Sequence, residues 1–305
     1  MQPRASLVAH LDAARIRRYA YPSAAIGLAL TGFSLHLAIV RQNPTWYTPF
    51  VVGSYLLFGA INCLLRGRST LVVAVVHTKR FLQLYTILML LGFIIDLLLG
   101  RLLGDFWIYP SLSRLDQVIH VWLLGYPLAL LSAVESLWLL QYPPPISADR
   151  AEPQRRSRIR TGCSRILLST TVLLFAAAIA LRVNGDLEAA RKAMFFLLFT
   201  GAFSFDALAF LLGKISLVGS VTIRGLPRLF YLAALVPVIG FLHEFPNSYA
   251  HEWVYQHIPF VHSEVAGVNI LVLTAGWLFL LLMPLSLTYI LLPAELVPAT
   301  WETNQ

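Results

Sequence analysis

Eight long apolar runs divide this chain, and they limit its fold more than any motif does. They span residues 20–40, 47–65, 81–103, 118–141, 166–183, 193–213, 229–245 and 265–292. A helix needs about 20 mainly apolar residues to cross a hydrocarbon core about 30 Å thick, and each run is close to that length. Only 12% of the residues are charged, against about 25% in a soluble domain. The sequence therefore predicts an all-α fold, a polytopic transmembrane helix bundle of about eight spans.

The basic residues predict how the spans are oriented. Most of the 23 Lys and Arg residues fall on one side of the spans if both termini are cytoplasmic. Cytoplasmic loops carry an excess of Lys and Arg, so this orientation explains the net charge of +8 without a nucleic-acid partner. No targeting segment is recognisable, which favours the plasma (inner) membrane of a bacterium or archaeon, with membrane lipids as partners.

Part of the first half of the sequence recurs in the second half. Residues 67–85 align without gaps with residues 213–231 and share Gly, Leu, Val and Tyr positions. The same register carries the Trp-x-Tyr motif that begins at Trp107 onto the one that begins at Trp253. Similarity at a fixed separation is the signature of an internal repeat.

We therefore predict a first four-helix repeat in 1–145, a basic cytoplasmic hinge in 146–163 and a second four-helix repeat in 164–305. The hinge follows three consecutive prolines and holds the densest run of arginines. Because each repeat has an even number of spans, the two would share one orientation and be related by an axis along the membrane normal.

Ionisable residues inside the spans are the candidates for chemistry, because a charge in hydrocarbon costs at least about 2.5–3.5 kcal/mol. The candidate catalytic residues are Asp96, Glu135 and Glu244. A carboxylic acid in an apolar cavity tends to stay protonated, which is what protonation of an alkene requires. In the structural alternative, each acid bonds to Trp, Tyr, Asn or Arg on a neighbouring helix, or lies in the wet interface.

Aromatic and polar residues near these acids are candidates for holding a substrate. The candidate substrate-binding residues are Trp107, Tyr109, His120, Asp206, Trp253, Tyr255 and Asn269. The faces of Trp and Tyr rings can stabilise a carbocation. The same residue types are enriched at membrane interfaces, so an aromatic belt is the open alternative.

The last outer loop is rich in residues of the kinds that bind metals. They are His243, Glu244, His251, Glu252, His257, His262 and Glu264. Imidazole and carboxylate can hold zinc or iron, but none of these spacings is a metal signature. We therefore predict a solvated loop and no metal. The sequence has no Walker loop, dinucleotide fingerprint or Cys-x-x-Cys motif, and we predict no cofactor.

One stretch of the first half resembles a known family. It holds Asp96 in a span, the segment GDFWIYP in the following loop, and Gly125 and Glu135 in the next span. In this order it resembles the small membrane-embedded carotenoid cyclases of the lycopene cyclase type, and more distantly the carotenoid hydratases. The resemblance implies a repeated few-helix unit and an enzyme that cyclises or hydrates an isoprenoid. The paired glutamates of that family correspond to the single Glu135 here.

Two classes of function remain open. The first is a cofactor-independent lyase or isomerase of the lipid phase, acting on an isoprenoid or carotenoid-like substrate, with the three acids as proton donors or cation-stabilising groups. The second is a non-catalytic bundle that binds or transports a lipophilic molecule or scaffolds a membrane complex. The first class is favoured if Asp96, Glu135 and Glu244 line one closed internal cavity, and the second is favoured if they face separate wet surfaces.

Overall fold

The computed structural model describes residues 13–140, 154–217, 226–260 and 262–292. The α-helices are α1 Ala13–Ile39, α2 Tyr47–Arg66, α3 Thr70–Val76, α4 Thr78–Phe93, α5 Arg114–Asp116, α6 Tyr126–Leu139, α7 Gln154–Val183, α8 Leu187–Leu211, α9 Leu226–Ala250 and α10 Trp277–Leu291. The π-helical segments are Ile94–Leu103 after α4, Gln117–Gly125 between α5 and α6, and Val272–Gly276 before α10. The strands are β1 Trp107–Ile108, β2 Val254–Tyr255, β3 Glu264–Val265 and β4 Val268–Asn269.

Among the described residues, eight helices are long and apolar enough to cross a membrane. They are Arg18–Ile39, Tyr47–Arg66, Thr78–Leu103, Arg114–Leu139, Arg158–Val183, Leu187–Leu211, Leu229–Ala250 and Val272–Leu291. The predictions of an all-α polytopic bundle and of about eight spans are therefore confirmed. Residues 146–153 of the predicted hinge lie outside the described residues, and 154–163 belong to α7.

The seventh and eighth spans differ most from their predicted limits. The seventh continues through Pro246 to Ala250. The apolar residues from 265 onward first form the β3–β4 hairpin, in which Ala266 and Gly267 both have positive φ. Two consecutive residues of positive φ match a tight hairpin turn, so the eighth span begins only at Val272.

Spans differ in depth within the bundle. In the span that contains α10, 67% of the 18 most apolar consecutive residues are buried, but in the span formed by α7 only 6% are buried. α7 therefore lies at the lipid-facing edge and α10 at the centre. α1 packs closely on α2, because a Cβ at Gly27 would lie 2.5 Å from the backbone nitrogen of Leu57. Small residues allow such close approach between membrane helices.

One short antiparallel pairing is among the contacts that join the two halves. β1 pairs with β2, with Trp107 opposite Tyr255 and Ile108 opposite Val254. The two Trp-x-Tyr motifs therefore cross each other at a local two-fold position. A glycine with left-handed backbone follows both helices: Gly67 directly after α2, and Gly213 two residues after the end of α8. The repeat stays a prediction.

Candidate functional site

A cavity lies between the two halves, beside the β1–β2 pairing. The cavity volume is about 120 Å³, and the empty space that includes the open solvent at its mouth is about 1070 Å³. Both halves contribute aromatic side chains to its wall. These are Tyr47, Phe106, Trp107, Tyr109, Tyr126, Phe195, Trp253, Tyr255, Trp277 and Phe279. The ionisable side chains among the remaining lining residues are His120, Glu244 and Glu252.

Glu244 presents a carboxyl group to this cavity and is held by three donors. The Nε1 of Trp253 lies 3.1 Å from Oε2, while the Oη of Tyr255 and the Nε1 of Trp277 lie 2.7 and 3.0 Å from Oε1. The side chain comes from α9, and its donors come from the next loop and from α10. Three directional donors fix the carboxyl group in one orientation.

Asp96 has the same kind of environment in the first half, with one addition. Its carboxylate accepts hydrogen bonds from Trp107 Nε1 (2.7 Å), Tyr109 Oη (2.8 Å) and Trp122 Nε1 (2.7 Å). Arg101 Nη2 also lies 3.0 Å from Asp96 Oδ2. The Arg101 guanidinium is 5.5 Å from the ring centroid of Tyr109 and 5.6 Å from that of Trp122, within the range of cation–π attraction. Both carboxylate oxygens of Asp96 are therefore occupied by hydrogen-bond or ion-pair partners.

The two acids differ in charge balance. Asp96 is fully buried beside a permanent cation, and it does not line the cavity. Glu244 lines the cavity, and no Lys or Arg of the described residues lies within ion-pair distance of it. Of the two, only Glu244 can present a charge to a bound molecule without an internal counter-ion.

Two glycines allow the next span to approach each acid. Gly92 and Gly240 each lie one helical turn before an acid. A Cβ at Gly92 would lie 2.3 Å from Cβ of Tyr126, and a Cβ at Gly240 would lie 2.7 Å from Cγ of Trp277. Tyr126 and Trp277 both stand where a π-helical segment becomes an α-helix. The glycines therefore set the distance between the third and fourth spans of each half.

Glu252 is a second carboxyl group of the cavity. Its place in a polar loop had predicted a solvated side chain. It is 1% exposed, and its Oε2 accepts from the backbone N–H of Tyr47 at 3.0 Å. Burial raises the pKa of Glu252 from 4.5 to about 8. At neutral pH it is therefore mainly a neutral carboxylic acid.

The loop is folded inward by Asn247. Its Oδ1 accepts from the backbone N–H groups of Glu252 (3.0 Å) and Trp253 (3.3 Å), and its Nδ2 donates to the Trp253 carbonyl (2.8 Å). His251 takes a left-handed backbone at this bend. An Asn a few residues before a Trp-x-Tyr motif is the only sequence signal for this geometry, and it is a weak one.

The tyrosines of the two loop motifs are hydroxyl donors at ordinary pH. Burial raises the pKa of Tyr109 and that of Tyr255 well above 10. Each therefore keeps its proton and donates a hydrogen bond to the acid of its own half.

Glutamine in place of Glu252 is expected to remove a pH dependence of stability. Because the pKa of Glu252 is about 8 in the folded state and 4.5 ordinarily, the folded protein holds a proton that the unfolded chain releases. The contribution of Glu252 to the free energy of unfolding is therefore fully present below about pH 4.5. It is lost as the pH rises from there through about 8, by at most about 1.4 kcal/mol per pH unit. Thermal unfolding in detergent should show the wild type losing stability with pH relative to Glu252→Gln. The exposed Glu264→Gln variant should follow the wild type, and equal slopes for wild type and Glu252→Gln would contradict the expectation.

Glu135, like Asp96, lies apart from the cavity, so the three acids do not line one internal cavity. Its Oε1 accepts from Ser69 Oγ (2.9 Å) and from the N–H and Oγ1 of Thr70 (2.6 and 2.7 Å), and its Oε2 accepts from Asn62 Nδ2 (2.8 Å). It joins α6 to the α2–α3 connection. This placement favours the structural alternative, and its catalytic role stays a prediction.

The predicted substrate-binding residues separate into two groups. The cavity wall includes Trp107, Tyr109, His120, Trp253 and Tyr255.

Asp206 and Asn269 do not line the cavity. Asp206 accepts from the backbone N–H of Leu217 at 2.7 Å. Asn269 accepts from that of Leu271 at 2.9 Å. Both therefore have local bonding roles.

Among the described residues, the His and Glu side chains of the outer loop do not come together in a metal-binding group. His243 Nδ1 lies 2.9 Å from Tyr47 Oη, whereas His257 lies 3.5 Å from Asp105. Within the part of the chain that the structure describes, no group of three or more His, Cys, Asp or Glu side chains is placed to hold a metal ion.

Fold and site together define a polytopic α-helical membrane protein with an aromatic cavity between its halves. Comparison of the chain with protein-family models, with curated proteins and with solved structures found no match in any of the three.

Proposed function

We propose that the protein binds an isoprenoid-like lipophilic molecule in this cavity and acts on it by acid-catalysed cyclisation or hydration. The observation that carries the proposal is the Glu244 carboxyl group, which faces an aromatic cavity with no counter-ion among the described residues. A developing carbocation is stabilised by a fixed negative charge and by ring faces. The wall offers both.

Burial favours the neutral form of Glu244, and its three donors oppose that effect and hold the carboxyl group still. Trp253, Tyr255 and Trp277 direct three N–H or O–H groups at the carboxylate, and such bonds favour the ionised state of an acid. Preorganised charge needs no rearrangement when the cation forms. Glu244 is thus proposed to stabilise the cation that protonation of an alkene produces.

Cyclisation and hydration differ only in what captures the cation. In cyclisation, the π electrons of a second alkene form the new C–C bond, and a neighbouring C–H then loses a proton. In hydration, a water oxygen forms the new bond and then loses a proton. Neither sequence changes the oxidation state of the protein or needs a cofactor.

The proposal agrees with the resemblance to carotenoid cyclases but places the chemistry in the second half. Asp96, which lies in the stretch that carries the resemblance, is ion-paired with Arg101. We further propose a plasma membrane location with cytoplasmic termini and surrounding membrane lipids. The cavity then opens toward the outer face, since both Trp-x-Tyr loops lie on that side.

Deuterium uptake tests this function. Protein reconstituted in lipid nanodiscs is incubated in D₂O with lycopene, squalene or geranylgeraniol, and the extracted isoprenoids are analysed by mass spectrometry. We expect an isomer or hydrate of at least one of them to carry deuterium on carbon, with none from heat-inactivated protein. Retention of an isoprenoid without carbon-bound deuterium would instead indicate the non-catalytic binding protein.

A further inference from the structure

We propose that Glu252 is the proton donor of this site and that Glu244 is the carboxylate that stabilises the resulting cation, an inference that rests on the proposed function. Both side chains line the same cavity. Glu252 lies outside the spans, in the loop that Asn247 folds inward. The two carboxyl groups differ in the way that a division between acid and stabilising base requires.

The difference is in their hydrogen bonds. Glu244 accepts from three side-chain donors on both of its oxygens. Glu252 accepts one bond, from the Tyr47 N–H to Oε2, and among the described residues no donor to Oε1 is found. Hydrogen bonds to a carboxylate favour its charged form, and burial without them favours the neutral form. Glu252 can therefore carry a proton, and its side chain lines the cavity.

Among its described residues, the first half contributes no such pair of acids to the cavity. Phe106 precedes Trp107 at the place where Glu252 precedes Trp253, and Phe106 lines the cavity as well. Arg101 stands five residues after Asp96, whereas Tyr249 stands five residues after Glu244. The acidic wall therefore belongs to the second half alone. The alkene that is protonated would lie against this wall, with the rest of the molecule along the apolar wall of the first half.

The proposed step balances without a co-reactant. The π electrons of the alkene form a C–H bond with the Glu252 proton, and the O–H electron pair stays on the carboxylate. The cation on the adjacent carbon is attacked by a second alkene, which forms a ring bond. A neighbouring C–H then returns a proton to Glu252. The net reaction is an isomerisation, and exchange of the carboxyl proton with solvent places one deuterium in the product.

Matched variants test this division of roles. Wild type, Glu252→Gln and Glu264→Gln are compared in nanodiscs for deuterium uptake in D₂O and for binding of retinol, an isoprenoid polyene that quenches tryptophan fluorescence by energy transfer. We expect Glu252→Gln to bind retinol like the wild type but to lose uptake by at least about 100-fold, the scale of general acid catalysis. Glu264 is exposed on the same outer loop, so Glu264→Gln is expected to match the wild type in both.

The outcomes separate the two proposals. Absence of uptake by the wild type with all three isoprenoids would overturn the proposed function. Wild-type uptake by Glu252→Gln would overturn only the assignment of Glu252 as donor.

A second readout uses the wild type alone. If Glu252→Gln fails to fold, the pH profile of wild-type uptake decides. The pKa of Glu252 is about 8. The cavity also holds the ionisable side chains of Glu244 and His120, and burial raises the pKa of the neighbouring Tyr109 well above 10. We expect the uptake rate to fall as the pH rises through about 8, and a constant rate across that range would overturn the assignment.

Discussion

Replacing Glu244 with glutamine is expected to lower isoprenoid turnover by at least about 100-fold, the cost of removing one electrostatic stabiliser from an active site. The amide is nearly the same shape but carries no charge. It can still accept from Tyr255 and Trp277 through one oxygen, so the wall should keep its form. The measurement is the single-turnover rate of deuterium uptake, together with retinol binding as a check of the cavity.

One contact in the variant is unfavourable and determines how far its free energy of unfolding falls. The amide nitrogen would face the Trp253 Nε1 donor, which lies 3.1 Å from Oε2 in the wild type. An unsatisfied buried donor costs about 1–3 kcal/mol, and we expect a loss of that size. A Glu244→Gln variant that binds retinol and turns over at the wild-type rate would contradict the role given to this carboxylate.

Replacing Asp96 with alanine is expected to produce the largest loss of stability, about 3–5 kcal/mol, the usual cost of breaking a buried ion pair by removing one partner. The variant would leave Arg101 without its carboxylate and would remove the acceptor of Trp107, Tyr109 and Trp122. Since Trp107 also pairs with Tyr255 across β1–β2, the contact between the two halves should weaken as well. Unfolding by heat or denaturant in detergent measures the effect.

A double-mutant cycle with Arg101→Met separates charge from packing. The Met variant keeps an apolar stem but removes the cation, so the pair Asp96→Ala and Arg101→Met should cost less than the sum of the single changes. A cycle in which the two costs add would show that Arg101 does not neutralise Asp96. It would then remove the reason for assigning the chemistry to Glu244 rather than to Asp96.

The spans could be predicted from the sequence because the length of an apolar run is a local property. The nearness of Trp107 to Asp96 and of Trp253 to Glu244 could be predicted as well, since each Trp lies in the loop that directly follows the span of the acid. The partners that decide their roles could not be predicted in this way. Whether Arg101 turns toward Asp96 depends on a π-helical segment, and no periodicity rule for α-helices reports it.

Glu135 and Glu252 show the two opposite limits of the sequence reasoning. Glu135 lies in a span, which made it a candidate, yet four hydrogen bonds commit it to the α2–α3 connection. Glu252 lies in a polar loop, which suggested solvent, yet Asn247 folds that loop so that Glu252 is buried. Both outcomes depend on which surfaces meet in three dimensions.

Photo-crosslinking tests most directly whether an isoprenoid occupies the cavity between the halves. A diazirine-bearing geranylgeraniol is irradiated with the reconstituted protein, excess retinol serves as competitor, and the labelled peptides are identified by mass spectrometry. We expect retinol-sensitive labelling of residues 126–130 and 272–280, which border the cavity. Labelling confined to the lipid-facing helices α1 and α7, unaffected by retinol, would contradict the account.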